Sequence, residues 1–190
     1  MHKLKSSTDD LREDEKEERI ELKNDVLDAL VAQADIYTAL SEAIEKTGAK
    51  RLLLLHANNC GDRILYSATQ LYATVFAELH NGAPPVRKYY QERPIVDPHY
   101  LMMLRKIAQE RKAILVVDEL SDDMEIKSAY QRANIQEAHV YLTHIEVGKI
   151  WYISAGFEDT PNPHTDVILK DCANQICNIL QRPIFNPEED

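Results

Sequence analysis

Glycine is scarce in this chain, with 5 in 190 residues. No glycine-rich loop precedes a helical stretch, so the backbone cradle of nucleotide-hydrolysing folds is missing. Cysteine is scarce and odd in number: Cys60 falls in a turn, Cys172 and Cys177 in a helical stretch, which is no secreted disulfide framework. Cys172 and Cys177 lie about 140° apart around a helix and the histidines are scattered, with no His-Glu-Xaa-Xaa-His or Cys-Xaa-Xaa-Cys, so no metal centre is expected. No apolar run approaches the roughly 18 residues that cross a bilayer. The first twenty residues carry Asp9, Asp10, Glu13, Glu15, Glu17 and Glu18 where a secretion signal would have its apolar centre. A protein of the reducing cytoplasm, without a membrane partner, is the expectation. With 22 basic against 32 acidic residues, the net charge of -10 also argues against a nucleic-acid partner.

What is present is globular: 44% hydrophobic and 28% charged residues. Length and pattern suggest one domain over residues 25–182, a charged leader over 1–24 and a polar tail over 183–190. The first element is a long helix over residues 7–48, with Ser7, Thr8 and Asp9 as cap candidates and Gly48 as its stop. Its apolar residues form two stripes. Ile20, Leu27, Leu30, Ala34, Tyr37 and Ile44 make one; Leu22, Val26, Ala29, Ile36, Leu40 and Ala43 make the other. Together they cover roughly 200° of the circumference, where a helix on one core needs about 100°. Either the helix is clasped deep in the core, or it packs on its own domain and on a second copy. The polar front half favours the second, with Ile20, Leu27, Leu30, Tyr37 and Ile44 as the dimer face and a homo-oligomer as the result.

Four leucines, Leu52 to Leu55, read as a buried central strand over residues 51–57, followed by a turn at Asn58-Asn59-Cys60-Gly61-Asp62. A second strand is expected over 69–79, with Leu71, Ala73, Val75, Ala77 and Leu79 on one face. Asp97-Pro98 starts a helix to about Arg111 whose inner side is Tyr100, Leu101, Leu104 and Ile107. A buried strand over 113–117, a short helix over 124–133, a hairpin over 135–157 turning at Val147-Gly148-Lys149, and a last helix over 165–181 complete the order.

The carriers of a family likeness are the strand Leu52-Leu53-Leu54-Leu55-His56-Ala57-Asn58, the Pro94-Ile95-Val96-Asp97 lead into the middle helix, Val116-Val117-Asp118, and Lys127-Ser128-Ala129-Tyr130 running through Asn134-Ile135 into the hairpin. Read in this order, residues 25–180 resemble a GAF-like domain. The resemblance implies an α/β (α+β) fold, an antiparallel sheet flanked by N- and C-terminal helices with a ligand pocket in front. Short proteins of this kind look similar to ones encoded by bacteria and bacteriophages. Asn134 stands where such domains commonly have glycine, a substitution that positive φ tolerates. The Asn-Lys-Xaa-Asp signature of cyclic-nucleotide GAF domains and the cysteine context of bilin-binding ones are missing, so the cofactor is unknown and no ligand is inherited.

On that fold, Tyr89, Tyr90, Tyr100, Asp118 and Tyr130 come to the covered front of the sheet. They either hold a small amphipathic molecule, each ring giving apolar area and a polar handle, or simply close the domain. Arg87, Lys88 and Arg93 read as a solvated basic loop. Cys60 with His56 is the one candidate nucleophile pair, but no resolving cysteine is near. The expected function is therefore a non-catalytic sensor or interaction module dimerising through its first helix, and not an enzyme. An assembly component without ligand, of the phage type, is the alternative, and a cysteine redox enzyme the least supported.

Overall fold

The computed structural model describes residues 3–58, 71–122, 125–146 and 148–182, with side chains from residue 25 onward apart from Glu125. Helix α1 (Lys3–Thr47) has no glycine or proline inside it. It ends where Gly48 takes φ 69° and donates its N–H to the Ile44 carbonyl at 3.0 Å, a left-handed stop that costs glycine little. The second half of α1 packs on the domain through Ala32, Ile36, Ala39, Leu40 and Ala43, all buried on an arc of about 100°. On the opposite side Val26, Leu27, Leu30 and Val31 are between 50% and 56% exposed. Of the expected outward stripe Leu27 and Leu30 are exposed, but so is Val26, a member of the expected inward stripe with Ile36, Leu40 and Ala43, because residues 25–31 are exposed all round. Tyr37 and Ile44 lean on the chain's own core, and the side chain of Ile20 lies outside the described residues.

The sheet has six antiparallel strands in the order β3-β2-β1-β6-β5-β4. These are β1 (Arg51–Asn58), β2 (Tyr72–His80), β3 (Arg93–Pro94), β4 (Lys112–Val116), β5 (Glu137–Glu146) and β6 (Lys149–Phe157). Strand β1 is central, and its leucines are apolar without interruption because both of its faces are covered. Leu52 and Leu54 face back toward α1 and α4 (Thr165–Leu180), with Trp151, Ile153, Leu169, Cys172 and Ile176. Leu53 and Leu55 face forward, with Tyr100, Met103, Ile107, Val140 and Tyr152. The front is covered by α2 (Pro98–Glu110) and, near Tyr130 and Ile135, by α3 (Glu125–Gln131).

Helix α2 begins as its sequence dictates: the Asp97 side chain accepts from the His99 N–H at 2.8 Å and Pro98 occupies the first turn. Its buried face is Tyr100, Met103, Leu104 and Ile107, whereas Leu101 is exposed. The reason is angular, since Leu101 sits about 100° from Tyr100 and outside the arc that meets the sheet.

Two strand expectations are corrected. The residues from Leu71 to Leu79 do not share one face. Leu54 pairs with Ala77 and Leu55 with Val75, leaving Phe76 as an extra, bulged residue. The alternation flips there, so Ala73 and Val75 face front while Ala77 and Leu79 face back. Thr69 and Gln70 lie outside the described residues. Strand β4 is an edge rather than a buried strand: only β5 flanks it, and Ile114 and Val116 are exposed. The hairpin β5–β6 closes at Gly148, φ 76°, with Val147 outside the described residues. Asn134 takes φ 52° after α3, as its place ahead of the hairpin requires.

Gly156 on β6 is needed for space: a Cβ there would stand 2.5 Å from Ile135 Cδ1 and 3.1 Å from Cγ1 and Cγ2. Gly156→Ala should lower unfolding free energy by about 1–3 kcal/mol, with partial recovery in the double variant carrying Ile135→Val; urea titration checks both. His56 lies 4.6 Å from the Trp151 ring, and burial, followed by Lys149, lowers its pKa to about 4 against an opposing pull from Glu146. The unfolded chain therefore binds a proton near pH 6.5 that the folded chain refuses until about pH 4. Stability should fall as pH drops through that window, and the fall should be shallower in His56→Gln when urea midpoints are compared.

Candidate functional site

Arg51 opens β1 on the same face as Leu53 and Leu55, so strand alternation carries a guanidinium into the front core. It is only 3% exposed. Its Nη1 donates to the Pro84 carbonyl at 3.5 Å, and the guanidinium carbon lies 5.9 Å from the centre of the Tyr130 ring. Among the described residues no carboxylate comes within 4 Å of it. Desolvation pushes the pKa of Arg51 down, with Tyr130, Glu78 and Tyr90 opposing. The Glu78 carboxylate is already engaged: it accepts from the N–H groups of Val86 and Arg87, each at 2.8 Å.

Beside Arg51 is a small chamber lined by Leu53, Leu55, Tyr90, Tyr100, Tyr130 and Tyr152, among others. Its volume is about 30 Å³, room for one or two waters, each of which needs at least about 10–15 Å³. The hydroxyls of Tyr100 and Tyr152 meet at 2.5 Å. Desolvation raises the pKa of both, and that of Tyr130, where a hydrogen bond with Ser154 and the charge of Arg51 act in the opposite direction. All three phenols are therefore protonated at neutral pH, and in the Tyr100–Tyr152 pair one hydroxyl donates to the other.

Outside the chamber an open groove of about 570 Å³ shares Arg51, Val86, Tyr90 and Ala129 with it. Lys88, Tyr89, Arg93 and Arg132 line this groove as well. Lys88 Nζ sits 4.8 Å from the Tyr89 ring and Arg93 packs on Tyr90 at 5.3 Å. Tyr90, Tyr100 and Tyr130 of the expected set thus come together in the chamber, and Tyr89 reaches only the groove. Asp118 is not brought to either space. The short 3-10 turn Val117–Glu119 that follows β4 buries Val117 and turns Asp118 out to solvent. Arg87 and Lys88 are exposed, as a solvated loop would be, while Lys88 and the half-buried Arg93 also line the groove. Arg51, Tyr152 and Ser154 went unforeseen as site residues, although both strands alternate visibly: Arg51 with Leu53, and Tyr152 with Ser154. Cys60 lies outside the described residues. Cys172 is buried behind the sheet, its Sγ donating to the Ala39 carbonyl at 3.6 Å, and burial pushes its thiol up to about 12.

An antiparallel sheet with α1 and α4 behind it and a covered chamber in front matches several solved structures. The GAF domain/HD domain protein of Geobacter sulfurreducens aligns over 78% of this chain and 91% of its own, at 13% identity and TM-score 0.53. This is a GAF-like fold. The blue-light absorbing form of the PixJ GAF domain from Thermosynechococcus elongatus aligns over 80% of this chain and 84% of its own, at 14% identity and TM-score 0.53. The GAF domain of a two-component sensor histidine kinase from Bacillus halodurans aligns over 77% and 91%, at 10% identity and TM-score 0.53. No protein-family model and no curated protein matches the sequence. Among the described residues no helix is long and apolar enough to cross a membrane.

The paired phenols test the chamber's construction. Tyr100→Phe and Tyr152→Phe should each cost about 1–3 kcal/mol by stranding a buried hydroxyl. The double variant should cost less than the sum, read by denaturant titration; additive losses would show that the two hydroxyls do not support each other.

Proposed function

We propose that this chain is a non-catalytic GAF-type sensor or interaction module, which takes a small molecule at the chamber and groove and pairs with a second copy through α1. Residues 25–182 form the working domain, with 1–24 as leader and 183–190 as tail. The observation that carries the reading is the placement of the two surfaces on opposite sides of the same two strands. Leu53, Leu55 and Tyr152 face the chamber; their neighbours Leu52, Leu54, Trp151 and Ile153 lie in the core under α1 and α4. A ligand that moves the front of β1 and β6 therefore acts on packing that α1 shares, and can shift the equilibrium between two helix arrangements. The outward apolar residues Val26, Leu27, Leu30 and Val31 supply a motive for association, because water contact with them is relieved in a dimer. A sensor protein among the similar structures supports the class.

The small chamber volume favours a second reading, an assembly component without ligand. Native mass spectrometry of the protein purified from its source separates the two: a retained small molecule supports the sensor, and bare chain in complex with other proteins supports the assembly role.

For the pairing, the intact chain should sediment as a dimer. Leu27→Glu with Leu30→Glu should sediment as a folded monomer whose thermal midpoint no longer rises with protein concentration, since both side chains are exposed in the single chain. A monomeric wild type at high concentration removes the pairing.

A further inference from the structure

Two independent observations meet at the mouth of the chamber. The first is Arg51, a guanidinium 3% exposed whose side chain has one hydrogen bond, at 3.5 Å, among the described residues. A buried cation without an opposite charge is unfavourable in the free protein, and an arriving anion relieves it. The second is the charge of the groove. In a chain of 32 acidic and 22 basic residues, its lining among the described residues holds Arg51, Lys88 and Arg132, besides Arg93, and no acidic side chain. Glu78, among the described residues the one carboxylate whose field reaches Arg51, has both oxygens turned to the Val86 and Arg87 amides.

Resting on the ligand-site reading above, we propose that the molecule taken is a small organic anion. Its carboxylate or phosphate group sits against Arg51 at the junction of chamber and groove, and its apolar part lies in the groove over Tyr89 and Tyr90. A guanidinium fork suits both oxyanions, and the chamber, at about 30 Å³, admits little more than that charged group. The rings of Tyr89 and Tyr90, with Lys88 and Arg93 packed on them, offer a flat apolar floor to the remainder. Arg51, Lys88 and Arg132 also concentrate anions locally against the repulsion of the acidic chain.

The test is thermal unfolding of the full chain at constant ionic strength with benzoate, phenyl phosphate, inorganic phosphate and the neutral isostere benzamide. Benzoate or phenyl phosphate should raise the midpoint saturably, and whichever is stronger identifies the oxyanion; benzamide should not raise it. Arg51→Met should weaken the effect on the order of 10- to 100-fold, Arg132→Ala should weaken it less, and Lys170→Met, on the exposed side of α4, should leave it unchanged. Arg132→Ala reports even if Arg51→Met fails to fold, because Arg132 is exposed. Benzamide as effective as benzoate overturns the anion while leaving a ligand site. Inorganic phosphate as effective as phenyl phosphate, and indifferent to Arg51→Met and Arg132→Ala, overturns the proposal as general ion binding. No shift with any probe removes the ligand site itself.

Discussion

Burial of the two central strands on both faces is the constraint from which the rest of the molecule follows. Strand β1 has β2 on one side and β6 on the other, and its leucines alternate between a core under two helices and a core under a third. Each such side chain stabilises the fold by about 1.5–3 kcal/mol when fully buried. That gain requires both layers to be present at once. Helices from the two ends of the chain, α1 and α4, must meet behind the sheet, and they do so through small residues such as Ala39 and Ala173 as well as large ones. The front layer is less regular, made of α2, α3 and the turns between β2 and α2.

Polar groups are distributed unevenly between the two layers. Behind the sheet His139 and Thr165 are buried, and at the margin Asp166 accepts from Tyr141 at 2.7 Å and pairs with Lys112. The carboxyl of Asp166 is lowered by these two partners, Lys112 first. In front they are inside: a guanidinium, four tyrosines and a serine share one small space. An apolar core of the same size would satisfy stability more simply. A layer that keeps buried polar groups and leaves a cavity beside them breaks local packing rules, which natural sequences do at functional positions.

Helix α1 ties that front layer to the outside. Its packed half rests on α4 and on the back of β1 and β2, while Val26, Leu27, Leu30 and Val31 are exposed. The helix is continuous over 45 residues.

Much of the architecture was legible in the chain. The leucine run, the Asp97-Pro98 start, the hairpin around Gly148 and the helix stop at Gly48 are local signals, because backbone preference and periodicity are set by near neighbours. Two features were not legible: the bulge at Phe76, which depends on the register of the partner strand, and the edge position of β4, which depends on which strand lies beside it. At the site, Tyr90, Tyr100 and Tyr130 could be grouped from element order, whereas Arg51, Tyr152 and Ser154 could not. Alternation reveals that two residues share a face but not which face receives the chamber. The sequence by itself determined most of the elements and their order. Only the tertiary structure decided that Arg51 is buried and that Asp118 is not beside it, since burial is a property of what packs on a face and not of the strand that carries it.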